Sequence, residues 1–401
     1  MVGDQPMGDS RVEPDAGRRF RLLMSISDLS GGGAERQFQL LSRYLSRRHF
    51  EIHACFWRRA FRYQPPDDVT VHWVPKTRAW HVFSAIRGTR RLIDEIRPDL
   101  VYSQLHYVNM VTGTALARSR HRPAWICRQV NDPRREMPHL FGIWARRALR
   151  RADRIVGCSE GVRRATESHL RLPPGRTVRI DNLVEVEQVL AKSLEPLPFE
   201  RDPDRFVVVH AGRLHDQKNQ AMLLDAFATL GPRAELWMLG EGPDARRLER
   251  RAARLGIAGR VRWFGFRDNP FPFLRAADCL ALSSHFEGLP NVVIEAMACG
   301  TPVVSTRCPY GPDELIEHEA TGLLVPVDDT SAFAEALARM KDAPDERARM
   351  GERAATATRT RFSAAESAKR FQELFLEVLE RHGASPAAGG EGHPTCAASR
   401  A

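Results

Sequence analysis

The sequence predicts an α/β protein of two doubly wound, parallel-sheet domains facing a cleft, and three observations predict it. Strand-like and helix-like segments alternate through the first half; a proline-punctuated stretch breaks the rhythm; the alternation then resumes at Phe206. Strands separated by helices build βαβ units, whose parallel sheets are covered on both faces. A chain of 401 residues is long enough for two such cores.

The first element is Arg19–Ile26 (RFRLLMSI), an apolar run of strand length that leads into Asp28-Leu29-Ser30-Gly31-Gly32-Gly33. A helix with apolar residues at three- and four-residue spacing follows from Ala34 to about Ser46. Strand-like runs recur at His53–Trp57, Val69–Val74, Leu100–Ser103, Trp125–Cys127 and Arg154–Cys158. Helical patterns lie between most of them, at Val82–Ile96, Met110–Ala117 and Gly142–Arg150. These make a first domain over 19–185. Residues 186–204, with Pro196, Pro198 and Pro203, read as a linker. In the second domain, 205–365, strands are expected at Phe206–His210, Ala234–Leu239, Val261–Phe264, Cys279–Ser283 and Pro302–Ser305. The helices between them are Asn219–Leu230, Asp244–Leu255, Phe271–Ala277 and Pro290–Ala298. Residues 1–18 and 383–401 read as a disordered leader and tail.

Composition narrows the function. No apolar run approaches the ~20 residues of a membrane-spanning helix, and the N-terminus has no apolar signal-peptide core, so a cytoplasmic protein is expected. Seven cysteines lack CxxC or zinc-like spacing, which reads as reduced thiols and no metal site. Residues 1–196 carry 34 Lys/Arg against 21 Asp/Glu, the remainder 26 against 29. A basic first half suits an anionic partner. Nucleic acid is excluded for want of any recognition motif; an anionic membrane surface or a lipid diphosphate fits, and an arginine-biased solvated surface accounts for the same excess.

The chemistry concentrates in Phe286-Glu287-Gly288-Leu289-Pro290-Asn291-Val292-Val293-Ile294-Glu295, which continues to Gly300-Thr301-Pro302-Val303-Val304. Pro290 suits a helix start and Gly300 its end. The free N–H groups beside Leu289, Asn291 and Val292 would suit a diphosphate. Glu295, one turn in, could hold ribose hydroxyls, and Glu287, before the turn, sugar hydroxyls. The second signal is His210-Ala211-Gly212-Arg213-Leu214-His215-Asp216-Gln217-Lys218, at a strand end. Arg213 and Lys218 would match a phosphate that gains charge as a bond breaks. Gly240, in Leu239-Gly240-Glu241-Gly242-Pro243, and Phe266, in Trp263-Phe264-Gly265-Phe266, lie at strand ends on the same edge. Phe266 either packs or meets a nucleobase.

Residues 206–327 resemble the donor domain of glycosyltransferase family 4, the group 1 glycosyl transferases, on the Glu-x7-Glu pair, the Gly212-Arg213-x4-Lys218 element, the Leu-Gly-x-Gly-Pro turn and the Gly-Thr-Pro-Val-Val strand. The resemblance extends over 20–380 and implies the GT-B fold of two Rossmann-like domains, with residues 366–382 a helix returning to the first. It implies that Glu295 holds the ribose, Glu287 faces the donor sugar, and Arg213 and Lys218 neutralise the diphosphate. In the first domain Gly32 and Gly33 resemble the family's glycine-rich loop, and His106 stands where the family often carries a histidine near the reacting sugar. Arg128, at another strand end, is a candidate for an acceptor phosphate.

The resemblance implies retention of anomeric configuration without a metal or other cofactor. The donor expected is a UDP-sugar, with a GDP-sugar second. The acceptor expected is a saccharide or a polyprenyl-diphosphate-linked saccharide, for an enzyme peripheral on the inner face of the plasma membrane. A sugar-nucleotide 2-epimerase of the same fold and a non-catalytic nucleotide-binding scaffold are the rival readings.

Overall fold

The computed structural model describes residues 19–75, 82–135 and 139–383; the leader, and the tail beyond Gly383, lie outside them. The first sheet contains β1 (Phe20–Ser25), β2 (Phe50–Phe56), β3 (Thr70–Trp73), β4 (Leu100–Gln104), β5 (Ala124–Gln129), β6 (Arg154–Gly157) and β7 (Thr177–Arg179). The second contains β8 (Phe206–Ala211), β9 (Ala234–Leu239), β10 (Val261–Gly265), β11 (Cys279–Leu282), β12 (Val303–Thr306) and β13 (Gly322–Val325). Their orders are β3-β2-β1-β4-β5-β6-β7 and β10-β9-β8-β11-β12-β13, and the ladders are parallel. Each order reverses once, between β1 and β4 and between β8 and β11. Ligands of such sheets bind in the crevice outside the carboxyl ends of the strands at that switch point.

The helices of the first lobe are α1 (Gly33–Tyr44), α2 (Val82–Ile96), α3 (His106–Leu116), α4 (His139–Leu149) and α5 (Glu160–Leu170). They are followed by α6 (Val186–Ser193), α7 (Gln220–Ala228), α8 (Ala245–Arg254), α9 (Phe271–Ala276), α10 (Asn291–Ala298) and α11 (Pro312–Leu315). The last three are α12 (Thr330–Asp342), α13 (Pro344–Arg361) and α14 (Ala364–Arg381). Side-chain alternation divides each sheet between two apolar layers. On β1, Leu22 and Met24 join Phe38 and Phe56 on one face, while Leu23 joins Val101 and Trp125 on the other. The second lobe repeats the pattern: Val207 and Val209 face one cluster, Phe206 and Val208 the other.

Four elements depart from the sequence reading, two of them the short strands β7 and β13, which it did not include. Residues 186–204 are not a plain linker: α6 occupies their first half, and Val186, Val189 and Leu190 pack it onto the second lobe's core. The prolines after it hid a helix of only two turns. The helix α5 was also missed, because arginines and glutamates crowd its sequence and the apolar stripe is thin; Ser159 caps it, accepting from Val162 N.

The helix α14 lies against the first sheet, not the second. Ser363 caps it, accepting from Glu366 N. Phe371 and Phe375 are fully buried with Phe50 and Tyr102 in one apolar cluster, the ring centroids of Phe50 and Phe375 being 6.0 Å apart. Truncating such a core phenylalanine costs about 3–5 kcal/mol, so α14 is part of the first lobe's core. Among the described residues no helix is long and apolar enough to cross a membrane, and Cys55, Cys127, Cys158, Cys279, Cys299 and Cys308 are free and buried.

Candidate active site

The second lobe builds its side of the cleft from three strand-end loops laid on one another. After β8, Gly212 N donates to Leu239 O (3.0 Å) and Leu214 N to Glu241 O (2.9 Å). Gly240 has φ +129°, and a Cβ there would stand 2.0 Å from Gly212 O; only glycine lets the two loops touch. A short 3-10 turn, Asp216–Lys218, then presents Lys218. Its Nζ donates to Glu287 Oε1 at 2.6 Å, and Ser284 Oγ donates to the same oxygen at 2.5 Å. Glu287 is 5% exposed, and its backbone N–H is fixed by Pro309 O (3.1 Å). Two of the residues singled out in the sequence, 69 positions apart, thus meet as an ion pair.

Arg213, earlier on the same strand-end loop as Lys218, is exposed, and its charge acts on Glu35 of the first lobe. Its carbonyl accepts from Gln220 Nε2 (2.9 Å), which in turn lies 3.2 Å from His210 Nε2. His210 is fully buried, with Nδ1 3.0 Å from Ala281 O. Burial pushes its pKa down to about 4, so a neutral ring props the loop from beneath.

Pro290 is the residue before the first turn of α10 rather than part of it, and no side chain caps this start. Gly300, with φ +80°, follows the helix end. Leu289 is buried and Asn291 and Val292 are half-buried. Glu295, 6% exposed, is already engaged: Arg36 Nη1, from the first lobe, donates to its Oε1 at 2.5 Å. Phe266 also meets the first lobe. The Arg62 guanidinium stands 4.0 Å from its ring centre and pairs with Glu241 Oε2 at 2.8 Å.

In the first lobe Gly32 precedes α1, and a Cβ there would fall 2.3 Å from Glu35 Oε2. The carboxylate folds back over the helix start, as an acidic residue at the third helical position does in a capping box. Burial raises its pKa above the usual carboxylate range. Gly33 O accepts from Asn291 Nδ2 across the cleft (3.4 Å). His106 opens α3 after Leu105, whose φ of +80° is strained for a branched side chain. It is 4% exposed, with Nδ1 3.2 Å from Gln129 Oε1, and burial lowers its pKa. Its hydrogen-bond partner, Gln129, lies in the first lobe, and among the described residues no contact links it directly to the Lys218–Glu287 pair.

Arg128 is a correction. Placing it at the end of a strand was right; expecting it on the acceptor face was not. It shares a face of β5 with Ala124 and Ile126, the face that α14 covers, and is fully buried. Its guanidinium lies 5.2 Å from the Phe371 ring centre, and Nη2 donates to Asn182 Oδ1 (2.7 Å). Asn182 Nδ2 donates onward to Leu289 O (2.9 Å) and Asn291 Oδ1 (2.5 Å). Arg128 therefore braces the start of α10 from behind. The sequence reading missed Arg36, Asn182, Ser284 and His210. Arg36 and Asn182 act on residues 259 and 109 positions away, and no local spacing signals such pairs. Among the described residues no cluster of three or more His, Cys, Asp or Glu could hold a metal ion.

Comparison with known proteins bears on the family and the fold. The family model "Glycosyl transferases group 1" matches residues 195–357, and "Glycosyltransferase Family 4" matches 31–188. The lipopolysaccharide core biosynthesis glycosyltransferase LpsE of Rhizobium meliloti is 32% identical over 241 residues, 55% of this chain and 70% of that protein. A Campylobacter jejuni N-acetylgalactosaminyltransferase, named for a diphospho-undecaprenol-linked acceptor, is 32% identical over 190 residues, 47% of this chain and 51% of that protein. Across three of the curated relatives the chain spans 42%, 70% and 50% of their lengths. The fold is that of Anabaena HepE, solved in complex with UDP and glucose, at a TM-score of 0.75 and 19% identity, covering 90% of this chain and 100% of that one. The two facing parallel sheets are the GT-B architecture, and the chain belongs to glycosyltransferase family 4.

Proposed function

We propose that the chain transfers a hexosyl or N-acetylhexosaminyl group, with retention, from a nucleotide-diphosphate sugar to a saccharide or lipid-linked saccharide acceptor. A UDP-sugar is the first choice of donor and a GDP-sugar the second. One observation carries the reading: Lys218 and Glu287 are paired on the carboxyl edge of the second sheet, with Glu295 on the helix that follows and Arg213 on the same loop as Lys218, facing the glycine-rich loop of the first. The relatives named for lipopolysaccharide core synthesis and a lipid-linked acceptor support the acceptor class, and HepE's UDP supports the donor class.

In this reading the diphosphate lies between Arg213, Lys218 and the first N–H groups of α10. Negative charge grows on the leaving phosphate as the glycosidic bond lengthens. Fixed cations in a closed cleft stabilise it more than water does, since they need no reorganisation. Glu287, tethered by Ser284 and Lys218, keeps one oxygen turned to them and offers the other to a sugar hydroxyl. The acceptor hydroxyl attacks from the face the diphosphate leaves, and its proton passes to the departing phosphate oxygen, so no protein nucleophile is required. In this reading His106, which opens α3 at a strand end of the first lobe, stands near the reacting sugar. An arginine-rich first lobe suits an enzyme peripheral on an anionic, cytoplasmic membrane face.

The test is a thermal-shift panel of UDP, GDP and their sugars, followed by transfer to a lipid-linked saccharide. A ligand of the folded state raises the melting temperature by mass action. A UDP-sugar is expected to do so, with transfer persisting in EDTA; no shift with any nucleotide refutes the assignment.

A further inference from the structure

We infer that Arg36 is a positioning residue for donor recognition: it reaches from the first lobe to orient the ribose-holding carboxylate of Glu295, so the nucleotide is read fully only when the lobes are closed. The inference rests on the proposed ribose role of Glu295. Arg36 sits in the first turn of α1, its N–H bonded to Gly32 O (3.1 Å), so the glycine-rich loop fixes where its side chain starts. The guanidinium also lies over Phe271 at 5.4 Å from the ring centre. Its Nη1 takes Glu295 Oε1 at 2.5 Å, with both side chains largely shielded, 18% and 8% exposed.

The contact is one-pronged. Among the described residues Oε2 of Glu295 accepts no hydrogen bond, so the carboxylate is held by one oxygen and keeps the other for a hydroxyl. A carboxylate this shielded would otherwise be costly to keep charged without a partner, and its rotamer would be free. The contacts around it point the same way. Asn291 reaches Gly33 O, and Asn182 holds Leu289 O and Asn291, so the helix carrying Glu295 is gripped by the first lobe at its start as well. Arg36 acts through Glu295 and need not touch the reacting atoms.

Calorimetry with UDP and 2′,3′-dideoxy-UDP, and with the corresponding guanosine pair, tests this on the full chain, with Arg36→Gln and Arg36→Lys alongside the wild type. The wild type is expected to lose about tenfold or more in affinity when the ribose hydroxyls are removed, as for hydrogen bonds to a charged group. Arg36→Gln is expected to bind the normal nucleotide about tenfold more weakly and to be nearly indifferent to the hydroxyls, while Arg36→Lys recovers part of the discrimination. An unchanged thermal melt of the free Arg36→Gln variant separates this from misfolding. A hydroxyl-sensitive wild type with an Arg36→Gln variant that binds equally well, more tightly, or with the full hydroxyl penalty intact overturns the assignment to Arg36. A wild type that binds nucleotide but ignores the hydroxyls overturns the ribose role of Glu295 instead.

Discussion

The two lobes use the same parallel sheet but bring residues to the cleft differently. In the second lobe the strand-end loops stack on one another, and the polar side chains satisfy each other locally: Lys218 with Glu287, Ser284 with Glu287, Gln220 with Arg213 O. In the first lobe the cleft residues reach outward. Arg36 ends on Glu295, Arg62 on Glu241, and Asn182 on Leu289 and Asn291. The second lobe is a preassembled cradle, whereas the first completes it by docking. Removing a cradle residue should therefore damage the chemistry, and disturbing a docking residue should damage affinity or closure.

The largest effect is expected in the cradle. Lys218→Ala removes a cation facing the leaving phosphate and should lower turnover by about 100-fold or more, as does loss of one oxyanion-stabilising donor. It also strands Glu287 without its partner. Single-turnover rates at saturating donor are the measurement, and a near-normal rate would remove Lys218 from the mechanism. Arg213→Ala, whose side chain is exposed, should fall in the same direction without changing the thermal melt.

Next comes the seam between the lobes. A Cβ on Gly288 would lie 1.7 Å from Val130 O, so Gly288→Ala must push the first lobe away from α10. A displacement of about 1 Å at a reacting centre can cost about 100-fold, and here the loss should appear in transfer while UDP still binds the second lobe. Equal loss of binding and transfer would mean that the glycine serves folding rather than closure. Glu295→Ala is smaller: about a tenfold loss of nucleotide affinity by calorimetry, consistent with one charged hydrogen-bond acceptor, with turnover at saturation less affected.

The smallest effect separates support from chemistry. His210 has a pKa near 4 when folded against 6.5 as its ordinary value, because burial disfavours the imidazolium. A depressed histidine contributes its full stability above about pH 6.5 and loses it as pH falls towards 4. The melting temperature should therefore drop across that window, and His210→Gln should flatten part of the drop. Melts of the two proteins from pH 7 to pH 4 decide it; parallel curves would assign the acid sensitivity elsewhere, for example to His72, also depressed to about 4 by burial and by His53.

The same contrast explains what could be read from the sequence. The second lobe's site was legible because its chemistry is local: Gly212 and Lys218 span one turn, Glu287 and Glu295 one loop and helix start, and Gly240 marks a close backbone approach. Most strands were legible as apolar runs between turn residues. What was not legible depends on contacts far apart in the chain. No local pattern singled out Arg36, just after the glycine-rich loop, or Asn182. Arg128 was misread because strand-end position was taken for exposure, although strand alternation turns it under α14. The helix α6 was lost among prolines that lie after it rather than within it.

The return of α14 to the first sheet has a consequence for synthesis. Phe371 and Phe375 complete the core around Phe50 and Tyr102, so the N-terminal lobe leaves the ribosome with that hydrophobic face bare. At roughly 5–20 residues per second, the ~200 residues that follow its last strand take about 10–40 s to emerge. Through that interval the bare face is open to association, and a fragment that stops at the lobe boundary should aggregate unless α14 is supplied in trans.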